Sequence, residues 1–410
     1  MAGIGLGAIL TTDGSAAGAK TSASVPAGPD TSLKDVLENV QPGSIVEVSG
    51  HHKIRTVVLR SSDVDIKFLR DARIELLDPA ADGLLVLGDR VRITGGVFTG
   101  ESTADGSNSP WKSAVIHILG HECQVSGVRI VGVPRVGIGI RGKAAVVQGC
   151  EIEGAYPIHL WSGVETGHFG IAWDPPAGLG TTLSVFDCRI STCVQGIFVG
   201  NFGTEADGRA VVRDNCFQGC LNHGVYGVSG TGHVVERNHF MDCQVPIVLT
   251  GNRHNVSYNS LVSLLLERSG DSRGYTGIDM RDSSFSVIQD NLVLGLSGRG
   301  NVGISVDGLH GRTIQGNVVR RNVVVMSGDG LPLIRLGAKA DQVLNNSITS
   351  NSVISTKRSG GTLVSIGRAG QPVDAGNSFK GNSIVAPRAA MTVKLPRGSE
   401  GREANTYTAF

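Results

Sequence analysis

Val212–Phe217 reads VRDNCF, Val235–Phe240 reads VERNHF and Val256–Leu261 reads VSYNSL. Each phrase opens and closes on an apolar side chain and carries Asn at its fourth place. The phrase recurs in both directions from there. Upstream it is Val185–Ile190 (VFDCRI), Val147–Ile152 (VQGCEI), Val125–Ile130 (VSGVRI) and Ile93–Phe98 (ITGGVF). Downstream it is Ile288–Val293 (IQDNLV), Ile314–Val319 (IQGNVV), Val343–Ile348 (VLNNSI) and a weaker Asp374–Phe379 (DAGNSF). The spacing runs from 21 residues (Val235 to Val256) to 38 residues (Val147 to Val185). A period of that size marks a solenoid, in which each repeat buries its apolar side only against its neighbours.

Between the phrases lie short stretches that alternate at period 2, the signature of a strand with one face buried. They include Val115–Leu119, Gly137–Arg141, Pro157–Trp161, Gly196–Val199, Pro246–Leu249, Gly277–Met280 and Gly303–Val306. Each period therefore holds two or three thin strands and no helix, which excludes leucine-rich and ankyrin-type repeats and predicts a parallel β-helix. About eleven coils at ~4.8 Å make a rod on the order of 50 Å long. The fourth-place Asn at 215, 238, 259, 291, 317 and 346 suits a sharp bend through the left-handed region. Stacked coils would also let these amides bond to one another in a ladder. Cys150, Cys188 and Cys216 group with the phrase and Cys193, Cys220 and Cys243 with a second place. Both sets read as small apolar filler, with disulfides between coils geometrically open.

The ends divide off from the coils. Residues 1–29 are rich in Gly, Ala and Ser and read as a flexible arm. Over 30–43, Asp30 or Thr31 is placed to cap a helix with Leu33, Val36, Leu37 and Val40 on one face, stopped by Pro42-Gly43. Residues 44–395 form the β-helix and 396–410 a polar tail. The 58 Gly suit a chain of many turns. A net charge of +1, from 37 basic and 36 acidic residues, points to no nucleic-acid partner. No stretch is long and apolar enough to enter a membrane as a helix, and Met1–Leu6 shows no signal-peptide pattern. No Cys/His cluster has metal-ligand spacing, so no metal or other cofactor is expected.

Outward residues of stacked strands form columns, and columns suit a polymer. One column reads Val86, His117, Gly139, His159, Phe198, Tyr226, Val248, Asp279, Ser305, Arg335, Ser365. The column two residues on contains Arg141, Trp161, Arg281 and Asp307. Two patches follow. The first runs from His117 to Tyr226 with Arg141, flanked by inserts that bring Trp111, Glu165, His168, Trp173 and Asp174. Aromatic rings beside carboxylates suit sugar rings, unless the inserts fold over and bury them as a satellite core. The second patch is Asp279, Arg281, Asp282, Asp307 and Arg335. Asp279 and Asp307 lie roughly 8 Å apart, within the spread of an inverting carboxylate pair. Arg281 stacked under Asp307 would make the same residues a plain surface ion pair. Candidate catalytic residues are thus Glu165, Asp174, His159, Asp279 and Asp307. Candidate substrate-binding residues are Trp161, His117, Arg141, Tyr226, Phe198, Trp111, His168 and Arg281. A lyase would instead take its base and its cation from Arg141 with His159, or Arg281 with Tyr275.

Taken together, residues 44–395 resemble the right-handed parallel β-helix superfamily of pectate lyases, polygalacturonases, mannuronan epimerases and phage tailspikes. Of the polygalacturonase motifs only Asn-Thr-Asp is echoed, by Gly277-Ile278-Asp279. The resemblance implies a single-stranded, all-β, right-handed helix. Its tailspike branch implies a homotrimer that binds and cleaves a surface polysaccharide, at a virion surface or otherwise outside the cell. Two other readings stand beside it: a bacterial polysaccharide lyase or epimerase unconnected with phage, and a non-catalytic adhesion or structural appendage.

Overall fold

The computed structural model describes residues 24–78, 81–100, 113–133, 135–154, 168–176, 180–200, 208–264, 275–295, 302–308, 312–327, 332–356, 362–367, 376–387, 392–395 and 404–409. Three long sheets run the length of the rod. The first has 14 strands from Ser24–Ala27 to Ser378–Lys380, and the second 14 strands from His51–Ile54 to Thr406–Ala409. The third has 13, from Val57–Leu59 to Thr392–Lys394. Strands of successive coils pair in parallel, and each coil contributes one strand to each sheet in turn. One coil is Asn255–Ser257, then Ser260–Ser263, then Thr276–Arg281. This is the parallel β-helix that the period-2 stretches predict. With 14 strands in a sheet it is longer than the phrase count suggests, about 60 Å at ~4.8 Å per coil. The coils before Ile93 lack the Asn phrase and were not counted by it.

Alternation puts one side chain in two into a continuous apolar core that runs from Ala27 to Ala386. At the entry to the third sheet the interior has room only for hydrogen. A Cβ added at Gly277 would lie 2.6 Å from the carbonyl oxygen of Gly303 in the next coil, which explains the Gly-Ile step that opens so many of these strands. All seven cysteines are unpaired, and six are buried as core filler. Cys216 is the exception: it pairs across from Arg189 on the outer face of the second sheet and is half-buried.

The Asn phrase does its work inward. Asn215, Asn238, Asn259, Asn291, Asn322, Asn351, Asn382 and Asn405 stack coil on coil, each Nδ2 donating to the next Oδ1 at 2.9–3.0 Å. The left-handed residue is the one before the Asn: Asp214 (φ 57°), Arg237 (φ 53°), Tyr258 (φ 57°) and Asp290 (φ 56°). The amide is therefore recruited for its two-sided hydrogen bonding rather than for backbone tolerance. Asn317 and Asn346 belong to a separate stack, because Val318–Arg320, not Ile314, continues the first sheet from Val287–Gln289. Their stack begins with His233 and His254 and passes through Ser286 to Asn317, Asn346 and Asn377.

The end cap is a short helix, Leu33–Glu38, whose N-cap is Ser32: its Oγ accepts from Asp35 N at 3.2 Å. Leu33 and Leu37 bury against the first coils. Ser24–Ala27 already pairs with Ile45–Val48, so ordered strand begins inside the stretch expected as an arm. At the other end Thr406–Ala409 pairs with Ser383–Ala386 inside the expected tail. Among the described residues no helix is long and apolar enough to cross a membrane.

Candidate functional site

The outer face of the third sheet carries the candidates, and its register fixes their order. One column runs Leu85, His117, Gly139, Ala172, Phe198, Tyr226, Val248, Asp279, Ser305, Arg335 and Ser365. Leu85 takes the place expected for Val86, which points inward. The rung after Val136–Ile140 is Phe169–Trp173, not Pro157–Trp161, with Ile138 paired to Ile171. The Phe-Gly-Ile-Ala-Trp stretch offers the same Gly-Ile step as its neighbours, and it displaces His159 and Trp161 from their predicted columns. His159, Trp161, Glu165 and Trp111 lie outside the described residues. Trp173, expected on an exposed insert, is fully buried in the core, and its indole Nε1 donates to the Gly142 carbonyl at 3.3 Å.

The first patch is largely a satellite core. Phe169 and Phe198 pack edge to face at 5.3 Å with Ala114, Val136 and Ala172, and Phe198 is fully buried. At its near end His117 Nδ1 lies 2.9 Å from Asp82 Oδ1, an acceptor that also holds Ala114 N. Asp82 went unnoticed in the sequence because nothing in a repeat pattern ties it to a residue one coil later. Arg141 and Asp174 face each other at 3.6 Å. His168 is buried, and its carbonyl accepts from Val194 and Gln195.

Beyond Phe198 the face changes character. Tyr226 is half-buried, packs edge to face on Phe198 at 5.6 Å and meets the His223 ring at 4.3 Å. The Arg281 guanidinium sits 5.8 Å from the Tyr226 ring centroid, a cation–π placement. Its Nε donates to Asp279 Oδ2 at 2.8 Å. Two coils on, Arg335 Nη2 donates to Ser305 Oγ on the coil between at 3.0 Å and lies 3.7 Å from Asp307 Oδ2. Asp307 is 2% exposed; its Oδ1 accepts from the backbone N–H groups of Gly308 (3.0 Å) and Lys339 (2.7 Å), while Oδ2 makes no hydrogen bond. The register does set Arg281 beside Asp307. Yet Arg281 turns along its own strand to Asp279, and Arg335 serves Asp307, because each guanidinium meets a nearer carboxylate that way.

The two predicted patches thus meet at Tyr226 and Arg281. The resulting group is Tyr226, Asp279, Arg281, Asp307 and Arg335, with His223 as the member that sequence reasoning missed. Alternation sets His223 in phase with inward Val225, so the period-2 pattern carried no signal for it. Among the described residues no group of three or more His, Cys, Asp or Glu is placed to hold a metal ion. A cavity of about 460 Å³ lies instead at the capped end, lined by Lys34, His51, Lys53 and Arg55 among others, and none of the described candidate residues lines it.

The family model described as the right-handed beta helix region matches residues 113–264 and 170–393, together more than half of the chain. No curated protein matches. Among solved structures, a PL6 alginate lyase in complex with a trisaccharide is similar, at 11% identity and TM-score 0.55, over 93% of this chain and 88% of that one. A mannuronic acid specific polysaccharide family 6 lyase from human gut microbiota is 12% identical with TM-score 0.53, over 91% of both chains. The Dettilon tailspike protein is 16% identical with TM-score 0.40, over 86% of this chain, which spans 62% of that protein. At these identities the likeness is one of fold.

Proposed function

The chain belongs to the right-handed β-helix family, and from that premise we propose that it binds and cleaves an acidic polysaccharide along the outer face of its third sheet. The observation that carries the reading is the change of that face beyond Phe198. Largely apolar and buried before it, the face then carries a tyrosine, two arginines and two carboxylates on four of five successive coils, with the Val248 rung between Tyr226 and Asp279. A straight column of rungs suits an extended polymer, the Tyr226 ring an apolar sugar face, and Arg281 and Arg335 the carboxylate of a uronate residue. The alginate and polysaccharide lyases that share the fold act on polymers of that kind.

The chemistry that these side chains best support is β-elimination. A base removes the proton on the carbon next to the uronate carboxylate, the electron pair forms a carbon–carbon double bond, and the glycosidic C–O bond breaks. The leaving oxygen takes up a proton. Arg281 or Arg335 neutralises the carboxylate, and the Tyr226 phenol or the His223 imidazole carries the proton. A hydrolase is the second reading, favoured by buried Asp307, whose Oδ2 makes no hydrogen bond and, beside Arg335, would serve as the acid opposite Asp279. An extracellular or virion-surface setting and a homotrimeric assembly are extensions of the same proposal. Incubation with a panel of acidic and neutral surface polysaccharides tests the central part. New reducing ends with unsaturated-uronate absorbance are expected; reducing ends without that absorbance would move the reading to hydrolysis, and no cleavage of any polymer would overturn it.

A further inference from the structure

The outer face of the second sheet changes along the rod as abruptly as that of the third, and in a different sense. Its first half carries charge on most coils: Arg73 and Glu75, then, past Val97 and Thr99, Arg129, Glu151 with Glu153, and Arg189, with Arg129 and Glu151 paired at 3.3 Å. From the middle onward one outward column reads Met241, Val262, Leu294, Val325, Ile354 and Val385, all partly exposed. The column beside it adds Leu292 and Val323, 40% and 38% exposed, between serines at 260, 352 and 383. No charged side chain interrupts either column between Met241 and Val385. Single exposed apolar residues need no explanation, but six in a row on a straight line do.

We propose that a second copy of this chain packs along this strip, with the two rods side by side and parallel. Three observations select that occupant. The strip is about 24 Å long and repeats every ~4.8 Å. Another stack of coils keeps the same repeat and stays in step over the whole length, whereas an α-helix of ~5.4 Å pitch falls out of step by several Å over six coils. The strip offers no ring and no carboxylate, amide or guanidinium to hold a sugar, unlike the face around Tyr226. Finally, the charge change fixes the direction. Two parallel, level copies set strip against strip and charged half beside charged half, where opposite charges on neighbouring coils can pair. An antiparallel arrangement would bury Arg129, Glu151 and Glu153 against Leu294 and Val325, at the cost of their hydration.

Sedimentation of the full chain tests this independently of any activity on glycans. The wild type is expected to associate, and the double variant Leu294→Glu, Val325→Glu to associate at least a hundredfold more weakly with an unchanged circular dichroism spectrum. A monomeric wild type, or a double variant that assembles like the wild type, would overturn the proposal. Should the double variant fail to fold, Val323→Cys decides. Under mild oxidation, in a Cys216→Ser background, it is expected to link two copies through the same residue, while Lys67→Cys, on the outer face of the first sheet, is not. An assembled Val323→Cys protein that does not cross-link would equally overturn it.

Discussion

Arg281 makes two contacts that pull in one direction: Nε on Asp279 at 2.8 Å, and the guanidinium plane beside Tyr226 at 5.8 Å. Held at both sides, the guanidinium is fixed in place on an outer face where the side chain is 27% exposed. The phenol next to it is the group whose removal is most telling. Tyr226→Phe keeps the ring and its packing on Phe198 but deletes the hydroxyl. If the phenol carries a proton in the reaction, kcat falls by about 10²- to 10⁴-fold with KM nearly unchanged, measured on whichever polymer is cleaved. Tyr226, Asp279, Arg281, Asp307 and Arg335 were legible in the sequence because strict alternation assigns each to the outer face. Which arginine meets which carboxylate was not legible. Register sets Arg281 beside Asp307, but a long side chain reaches along its own strand as easily as across to the next. The His117–Asp82 contact was hidden for a related reason, since Asp82 stands outside any repeated phrase.

At the scale of one element, the Asn stack explains why a chain with so many turns keeps them in step. Asn259 Oδ1 accepts from both the backbone N–H and the side-chain Nδ2 of Asn238, and its own Nδ2 donates to Val235 O (2.8 Å) and Asn291 Oδ1 (3.0 Å). Each buried polar group at the corner is met by the coil above or below. Asn259→Ala takes the acceptor from two donors of Asn238 and the donor from Val235 O at once, while Asn291 Oδ1 keeps the backbone N–H of residue 259. Each orphan costs about 1–3 kcal/mol, so a loss on the order of 3 kcal/mol or more is expected in a denaturant titration. A loss under 1 kcal/mol would mean that water or a shifted coil satisfies them. The phrase itself was plain in the sequence, and so was the β-helix. Its later copies misled because coils from Ile314 onward carry two Asn corners, and the eye takes the first, Asn317, for the equivalent of Asn291. Pro157–Trp161 misled in the same way: a period-2 stretch was present, but Phe169–Trp173 fits the glycine column and takes the rung.

For the molecule as a whole, the second stack links stability to pH. His233 and His254 are fully buried with their rings parallel at 4.9 Å. Each Nδ1 accepts a backbone N–H, from Ala210 and His233 respectively, and each Nε2 faces a carbonyl, Ser229 O at 2.8 Å and Thr250 O at 3.3 Å. That pattern requires the neutral ring with its proton on Nε2. Burial pushes His233 down to about 4, and burial together with His233 itself pushes His254 down to about 3. The unfolded chain takes up these protons near pH 6.5 and the folded one does not. Their contribution to stability is therefore complete above about 6.5 and is lost as pH falls towards 4 and then 3. Thermal melts are expected to drop steadily across that window by an amount that His233→Asn, restoring an uncharged ladder group, reduces. A Tm that is flat from pH 7 to 4 would contradict the neutral pair.

The most direct test of the account compares two arginine variants on one polymer. Arg281→Ala removes the cation beside Tyr226, and Arg92→Ala removes one from the outer face of the first sheet, where it pairs with Asp65. Cleavage of an acidic polysaccharide, followed by unsaturated-uronate absorbance, is expected to fall at least a hundredfold with Arg281→Ala and to be unchanged with Arg92→Ala. Equal activity in the two variants would contradict the assignment of the site to the third sheet.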